Sequence, residues 1–172
     1  MNLKYSSLII VVTLIGFFCF FSLFSWFRAD MLYARGQALA DNGQLLESAL
    51  AVEKAVSLWP REPAYHKELA ATFARLASVY SGENKEKFAQ FAAEAGAKAY
   101  KLNPNNLLTL KSLITTYYTL SLLDAQYQNQ TLQLVDKSLE RCPTDPTLWY
   151  LKGVVYSGFG KDLEAKEPVR EA

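Results

Sequence analysis

The sequence predicts an all-α chain in which one N-terminal transmembrane helix is followed by an α-solenoid of about 3.5 helical hairpins. Three observations predict it. Between Lys4 and Arg28 lie 23 residues with no charged side chain, holding six of the ten phenylalanines. From Arg28 onward apolar residues recur at three and four, and no alternating apolar/polar β-branched run sits between turn signals. Those turn signals cut the same region into segments of about 12 to 17 residues that fall in pairs.

Residues 1–7 form a short tail. Leu8 to Phe27 then reads as a run of 20 residues rich in Leu, Ile, Val and Phe. As a helix rising about 1.5 Å per residue it spans roughly 30 Å, the thickness of bilayer hydrocarbon. Thr13, Ser22 and Ser25 can bond back to the helix's own carbonyls, and Trp26 sits where an amphipathic ring favours the interface. Two rival readings are a buried core helix and a cleaved signal peptide. Against the second, Arg28-Ala29-Asp30-Met31 has no small-x-small pattern, and Gly16-Phe17-Phe18 before Cys19 is too bulky for a lipoprotein site. An uncleaved single-pass anchor is expected. Lysine and arginine counts on the two sides barely discriminate orientation, but a short tail, an anchor and then a folded domain point to a domain outside the cytoplasm.

No proline or strong turn signal separates Phe27 from Asp41, so the anchor is expected to run directly into the first soluble helix as a rigid stalk of about 40 residues. Breaks then fall at Asn42-Gly43, Pro60 to Pro63, Ser81 to Asn84, Asn103 to Asn106, Cys142 to Pro146 and Gly158 to Gly160. Three share one form, a helix ending that meets a proline: Leu58-Trp59-Pro60, Leu102-Asn103-Pro104 and Arg141-Cys142-Pro143. Proline stops the helix because it cannot donate the next backbone bond.

These residues resemble the tetratricopeptide repeat (TPR) family, whose unit of about 34 residues has W-x2-L-G-x2-Y in its first helix, then A-x3-F, then P. Trp149, Gly153 and Tyr156 match the first helix of the last unit, with Lys152 replacing Leu, followed by Gly160 and Ala165. In the first unit Leu32, Gly36 and Leu39 take the first-helix places, Gly43 makes the turn, and Ser48, Val52, Ala55 and Pro60 complete it. In the second unit Leu69, Ala70 and Phe73 serve, with Ala92 and Ala99, and longer helices over 64–80 and 86–102 joined by the loop 81–85. The third, Leu107 to Pro143, fits worst, with Ser112 its only small first-helix candidate. The resemblance implies a repeat domain over 28–167 and a tail at 168–172; the alternative is an irregular helical bundle.

A second, looser resemblance is to the carboxy-terminal region of bacterial O-antigen ligase or polymerase-like membrane proteins. It rests on Phe27-Arg28-Ala29-Asp30, Tyr33-Ala34-Arg35-Gly36 and Pro60-Arg61-Glu62-Pro63-Ala64-Tyr65. It implies a bacterial envelope setting and the alternative that the chain is a detached or carboxy-terminal accessory region of such a protein, whose glycosyl-transfer chemistry resides in membrane helices not found in this sequence.

No catalytic constellation stands out. His66 is the one histidine, Cys19 and Cys142 are unlikely disulfide partners, and Gly158-Phe159-Gly160-Lys161 lacks P-loop spacing. Asn129-Gln130-Thr131 is a glycosylation sequon by pattern alone. Setting Lys4 aside, the 145 residues from Arg28 carry 17 basic and 17 acidic side chains, so no basic footprint for nucleic acid exists. No cofactor and no metal are expected, and the chain is not expected to be an enzyme. In the TPR family the first helices line an inner surface that takes a peptide or helix. The resemblance maps that face onto Tyr33, Gln37, Lys67, Arg75, Thr109, Thr116, Tyr117 and Tyr150 as partner-binding residues. The competing reading is that such tyrosines pack a groove. Pro168 interrupts the last unit, so an apolar end lined by Trp149 and Tyr156 is a candidate surface for self-association.

Overall fold

A computed structural model describes the backbone of residues 3–160 and the side chains of residues 10–160. Among these residues every regular element is helical: α1 (Leu3–Asp41), α2 (Leu45–Leu58), α3 (Pro63–Val79), α4 (Glu83–Leu102), α5 (Leu107–Leu123), α6 (Gln128–Arg141) and α7 (Pro146–Gly158), with a 3-10 turn at Ala125–Tyr127 before α6. Ala165 and Pro168 lie outside the described residues.

The expected stalk is one helix. Of the expected anchor, residues 10–27 are exposed apart from the half-buried Ser22 and Ser25, Phe17, Phe18 and Phe20 by 64%, 73% and 66%, whereas Ala29 is fully buried and belongs to the core. Among the described residues α1 is the one helix long and apolar enough to cross a membrane. The exposed apolar stretch and the helical core thus meet within two residues of Phe27.

Gly36 makes the first hairpin possible. A Cβ there would meet the Val52 side chain at 2.4 Å, so only a hydrogen lets α1 and α2 approach this closely. Gly43, with φ of 78°, turns the chain in the left-handed region that other residues enter at a cost. Its neighbours tie the turn: Gln44 N–H donates to Leu39 O at 2.9 Å.

Later hairpins begin with side-chain caps. Glu62, Asn106 and Asp145 accept from helix N–H groups at the starts of α3, α5 and α7, and Pro63 and Pro146 fill the first helical turn, where no N–H is needed. Each proline break ends on a backbone bond of one kind, Trp59, Asn103 and Cys142 donating back to Ala55, Ala99 and Ser138. One break goes beyond the expected set. Asp124 ends α5, and its carboxylate accepts from Gln126 N–H at 3.0 Å, opening the 3-10 turn. α4 also starts at Glu83, three residues before the expected Glu86, because Gly82 at φ 61° takes the turn.

The hairpins stack in order. Each odd helix contacts the next odd helix (α1 with α3, α3 with α5, α5 with α7), and each even helix contacts the odd ones on either side of it, while no even helix contacts another among the described residues. The odd helices therefore form the closely spaced inner layer and the even helices splay outside, which curves the array around α1, α3, α5 and α7. One core runs through it, from Val52 and Ala55 through Leu76, Ala92, Leu113 and Ile114 to Leu148 and Val155.

Candidate functional site: the concave face

The residues of the inner layer that point away from the outer helices define the concave face. On α1 these are Tyr33 and Gln37; the Gln37 amide donates to Tyr33 Oη at 2.9 Å and reaches Glu68 Oε2 on α3 at 3.4 Å. The Tyr33 and Tyr65 rings lie 5.0 Å apart beneath them. Burial pushes the Tyr65 phenol up to about 12, with the Asp30 and Glu62 carboxylates adding to it. Lys67 is half-buried and Arg75 exposed. Arg75 Nη2 donates to Ala40 O at 3.1 Å, so a guanidinium sits on the carbonyl end of α1.

On α5 the exposed or half-buried stripe is Leu108, Lys111, Thr115, Tyr118 and Leu122, a spacing of three and four. Lys111 Nζ binds Asp145 Oδ2 at 2.7 Å, bridging α5 to the cap of α7. That bond, with the N–H groups of Leu148 and Thr147, holds the Asp145 carboxyl below the usual aspartate range. Tyr118 crosses onto α7 where Gly158 leaves room; a Cβ there would lie 2.2 Å from its hydroxyl oxygen. Tyr118, Tyr150, Gly153, Val154, Ser157 and Gly158 line an open pocket of about 440 Å³.

The face is therefore graded: ionic and amide groups on α1 and α3, then hydroxyls, Tyr118, Tyr150 and the exposed Leu108 and Leu122 toward α7. The structure brings Tyr33, Gln37, Lys67, Arg75 and Tyr150 to this one face.

Thr109, Thr116 and Tyr117 are not. All three are buried, and they pack helices instead of meeting a partner. Thr109 N–H is capped by Asn106, Thr116 bonds to Ser112 O within its helix, and Tyr117 donates its hydroxyl to Ala93 O on α4 at 3.0 Å. The true stripe on α5 lies one residue away from them, and one residue turns a helix by about 100°. α5 carries leucines on nearly every side, including the exposed Leu108 and Leu122, so apolar periodicity could not fix its facing. Lys111, Tyr118 and Asp145 were missed for that reason. A usable signal was present in Asp145-Pro146-Thr147, a helix-start pattern that fixes the α7 end of the ion pair.

His66 is buried on the opposite side, with Nε2–H donating to Pro60 O at 2.9 Å, as a structural residue does. No group of three potential metal ligands occurs among the described residues. Trp149 and Tyr156 are half-buried, and Lys152 lies over both rings at 5.6 and 5.3 Å while pairing with Asp136 at 3.4 Å.

No family model matches the chain, and no curated protein does. Solved structures do. MamA MSR-1 C2 is 14% identical with a TM-score of 0.59, over 83% of this chain and 74% of that one. MamA 41-end from Desulfovibrio magneticus RS-1 is 17% identical with a TM-score of 0.61, over 84% and 73%. At these identities the likeness defines the fold. Together with the stacking order, it makes the chain a TPR-like α-solenoid.

Proposed function

We propose that the chain is a membrane-anchored TPR-like scaffold, without catalysis of its own, that holds a partner protein along its concave face in a bacterial envelope assembly, with the repeats outside the cytoplasm. The observation that carries this is the union of two features in one helix: α1 presents an apolar exposed stem and, within a few residues, half of the first hairpin of a preformed groove. The groove offers amides, Lys67 and Arg75 to a peptide backbone and an acidic group, and Tyr118, Tyr150 and Leu122 to apolar side chains. Anchoring confines the search to two dimensions and raises the effective concentration of a membrane partner. No observation favours the O-antigen ligase-like alternative.

The test is site-specific photocrosslinking in native membranes. Crosslinkers at Lys67 and Tyr150 are expected to capture one protein that crosslinkers at the outward Glu53 and Glu94 do not, and Lys67→Glu with Arg75→Glu is expected to abolish capture. Equal capture from both faces would overturn the reading.

A further inference from the structure

We propose that the turn Trp59-Pro60-Arg61 is a second membrane contact, seated in the lipid headgroup layer beside the stem and fixing the direction in which the concave face looks. This rests on the membrane-anchored reading above. The argument is one of register. The close approach of Gly36 to Val52 pairs those two levels of the antiparallel α1 and α2. Seven residues further along each helix, toward the stem, Ala29 stands level with Trp59. A second, independent pairing agrees. α1 and α3 run parallel, with Tyr33 beside Tyr65 and Gln37 beside Glu68, so that stepping back four residues sets Ala29 level with Arg61.

Ala29 is two residues beyond Phe27, about 3 Å along the helix axis. Headgroups and interface add roughly 5 to 7 Å to each side of a hydrocarbon layer already filled by Leu8 to Phe27. A turn level with Ala29 therefore lies inside the interfacial layer, not above it. Its side chains suit that place. Trp59 is half-buried, leaving part of an amphipathic ring outside the core, and Arg61 is exposed with a cation that can reach phosphate. Trp26 and Arg28 supply the same pair on the stem, with the Arg28 guanidinium 5.9 Å from the Phe24 ring centroid. Two such pairs on neighbouring elements resist rotation of the array about the stem, which a single helix would permit.

The full-length chain is reconstituted in vesicles of phosphatidylcholine and phosphatidylglycerol, with the phosphatidylcholine brominated near the headgroup end of its acyl chains. Variants with a single tryptophan report position by quenching: Trp26 alone (Trp59→Phe, Trp149→Phe), Trp59 alone (Trp26→Phe, Trp149→Phe), and a far-end reporter (Tyr80→Trp with all three native tryptophans changed to Phe). Trp59 is expected to be quenched comparably to Trp26 and several-fold more than the reporter at position 80. Quenched Trp26 with Trp59 no brighter or dimmer than the far-end reporter overturns this proposal and leaves the anchor standing. Unquenched Trp26 removes the anchor and this proposal with it. Since Trp→Phe changes touch the core, a nitroxide on Arg61→Cys, in a Cys19→Ser, Cys142→Ser background, gives a second reading: accessibility to a water-soluble nickel chelate well below that of a label on Ser81→Cys is expected, and equal accessibility counts against the contact.

Discussion

Gly36→Ala is the sharpest test of how the long apolar helix joins the repeats. The added Cβ would lie 2.4 Å from Val52 Cγ2 and 3.4 Å from Ser48 O, where ordinary carbon contacts sit near 3.5 to 4.0 Å. Val52 is fully buried and, being β-branched in a helix, has essentially one rotamer to offer. The clash is resolved by an off-rotamer valine or by helix separation, an overpacking cost of about 1 to 3 kcal/mol. Working against it, alanine is favoured over glycine inside a helix by about 1 kcal/mol. The net is a destabilisation on the order of 1 kcal/mol. The assay is urea unfolding of the full chain in mild detergent, followed by far-UV circular dichroism, with Gly16→Ala as control because nothing lies within 4 Å of Gly16. Repeating the substitution in a Val52→Ala background removes the methyl group that clashes, so Gly36→Ala should there become stabilising by about 1 kcal/mol, a coupling of roughly 2 kcal/mol across the cycle. A Gly36→Ala midpoint at or above wild type, or an effect unchanged by Val52→Ala, would refute the close approach.

Asp145→Asn keeps a helix cap but loses the Lys111 ion pair and should cost under about 1 kcal/mol in the same urea assay, whereas Asp145→Ala loses both and should cost about 1 kcal/mol more. Because the folded Asp145 carboxyl titrates below its ordinary value, its contribution is present above that value and lost as pH falls through the folded one; the acid limb of a stability–pH curve should be shallower in Asp145→Ala. Burial pushes Tyr117 up to about 12, so its contribution is complete below pH 10, the ordinary tyrosine value, and lost as pH rises toward 12. Tyr117→Phe should cost about 1 kcal/mol at neutral pH through the lost bond to Ala93 O, and should soften the alkaline transition without removing it, since Tyr65 titrates in the same range. Arg75→Ala should speed hydrogen exchange at the carboxyl end of α1, residues 37–41, by several-fold, with exchange in α5 unchanged, as read by mass spectrometry.

The parts of this architecture legible in the sequence are those governed by a single residue type with one physical job. Gly36 and Gly43, the prolines at 60, 104 and 143, and the uncharged run each permit few alternatives, and they placed the stem, the first hairpin and the ends of α2, α4 and α6. The TPR resemblance put Lys67 and Arg75 on the inner face, and in the structure α3 packs through Ala70, Ala74 and Ala77 while both cations stay off that side. α5 offered no such contrast. Its leucines and threonines occur all round, so the facing of Thr116 and Tyr117 was decided by tertiary packing against α4, through Gly96 and the Ala93 carbonyl, which no local pattern encodes. The turn at Asp124 escaped for a related reason: it uses one aspartate cap and no glycine or proline.

The burial of Ala29 has a consequence for turnover. Many anchored domains can be shed by a single cut in a linker, leaving a folded soluble form. Here no linker exists, and a cut anywhere between Ala29 and Asp41 removes part of the first hairpin and bares the flank of α2 and α3. On the membrane-anchored reading proposed above, a protease could release intact repeats only by cutting upstream of Ala29, at the bilayer surface or within it.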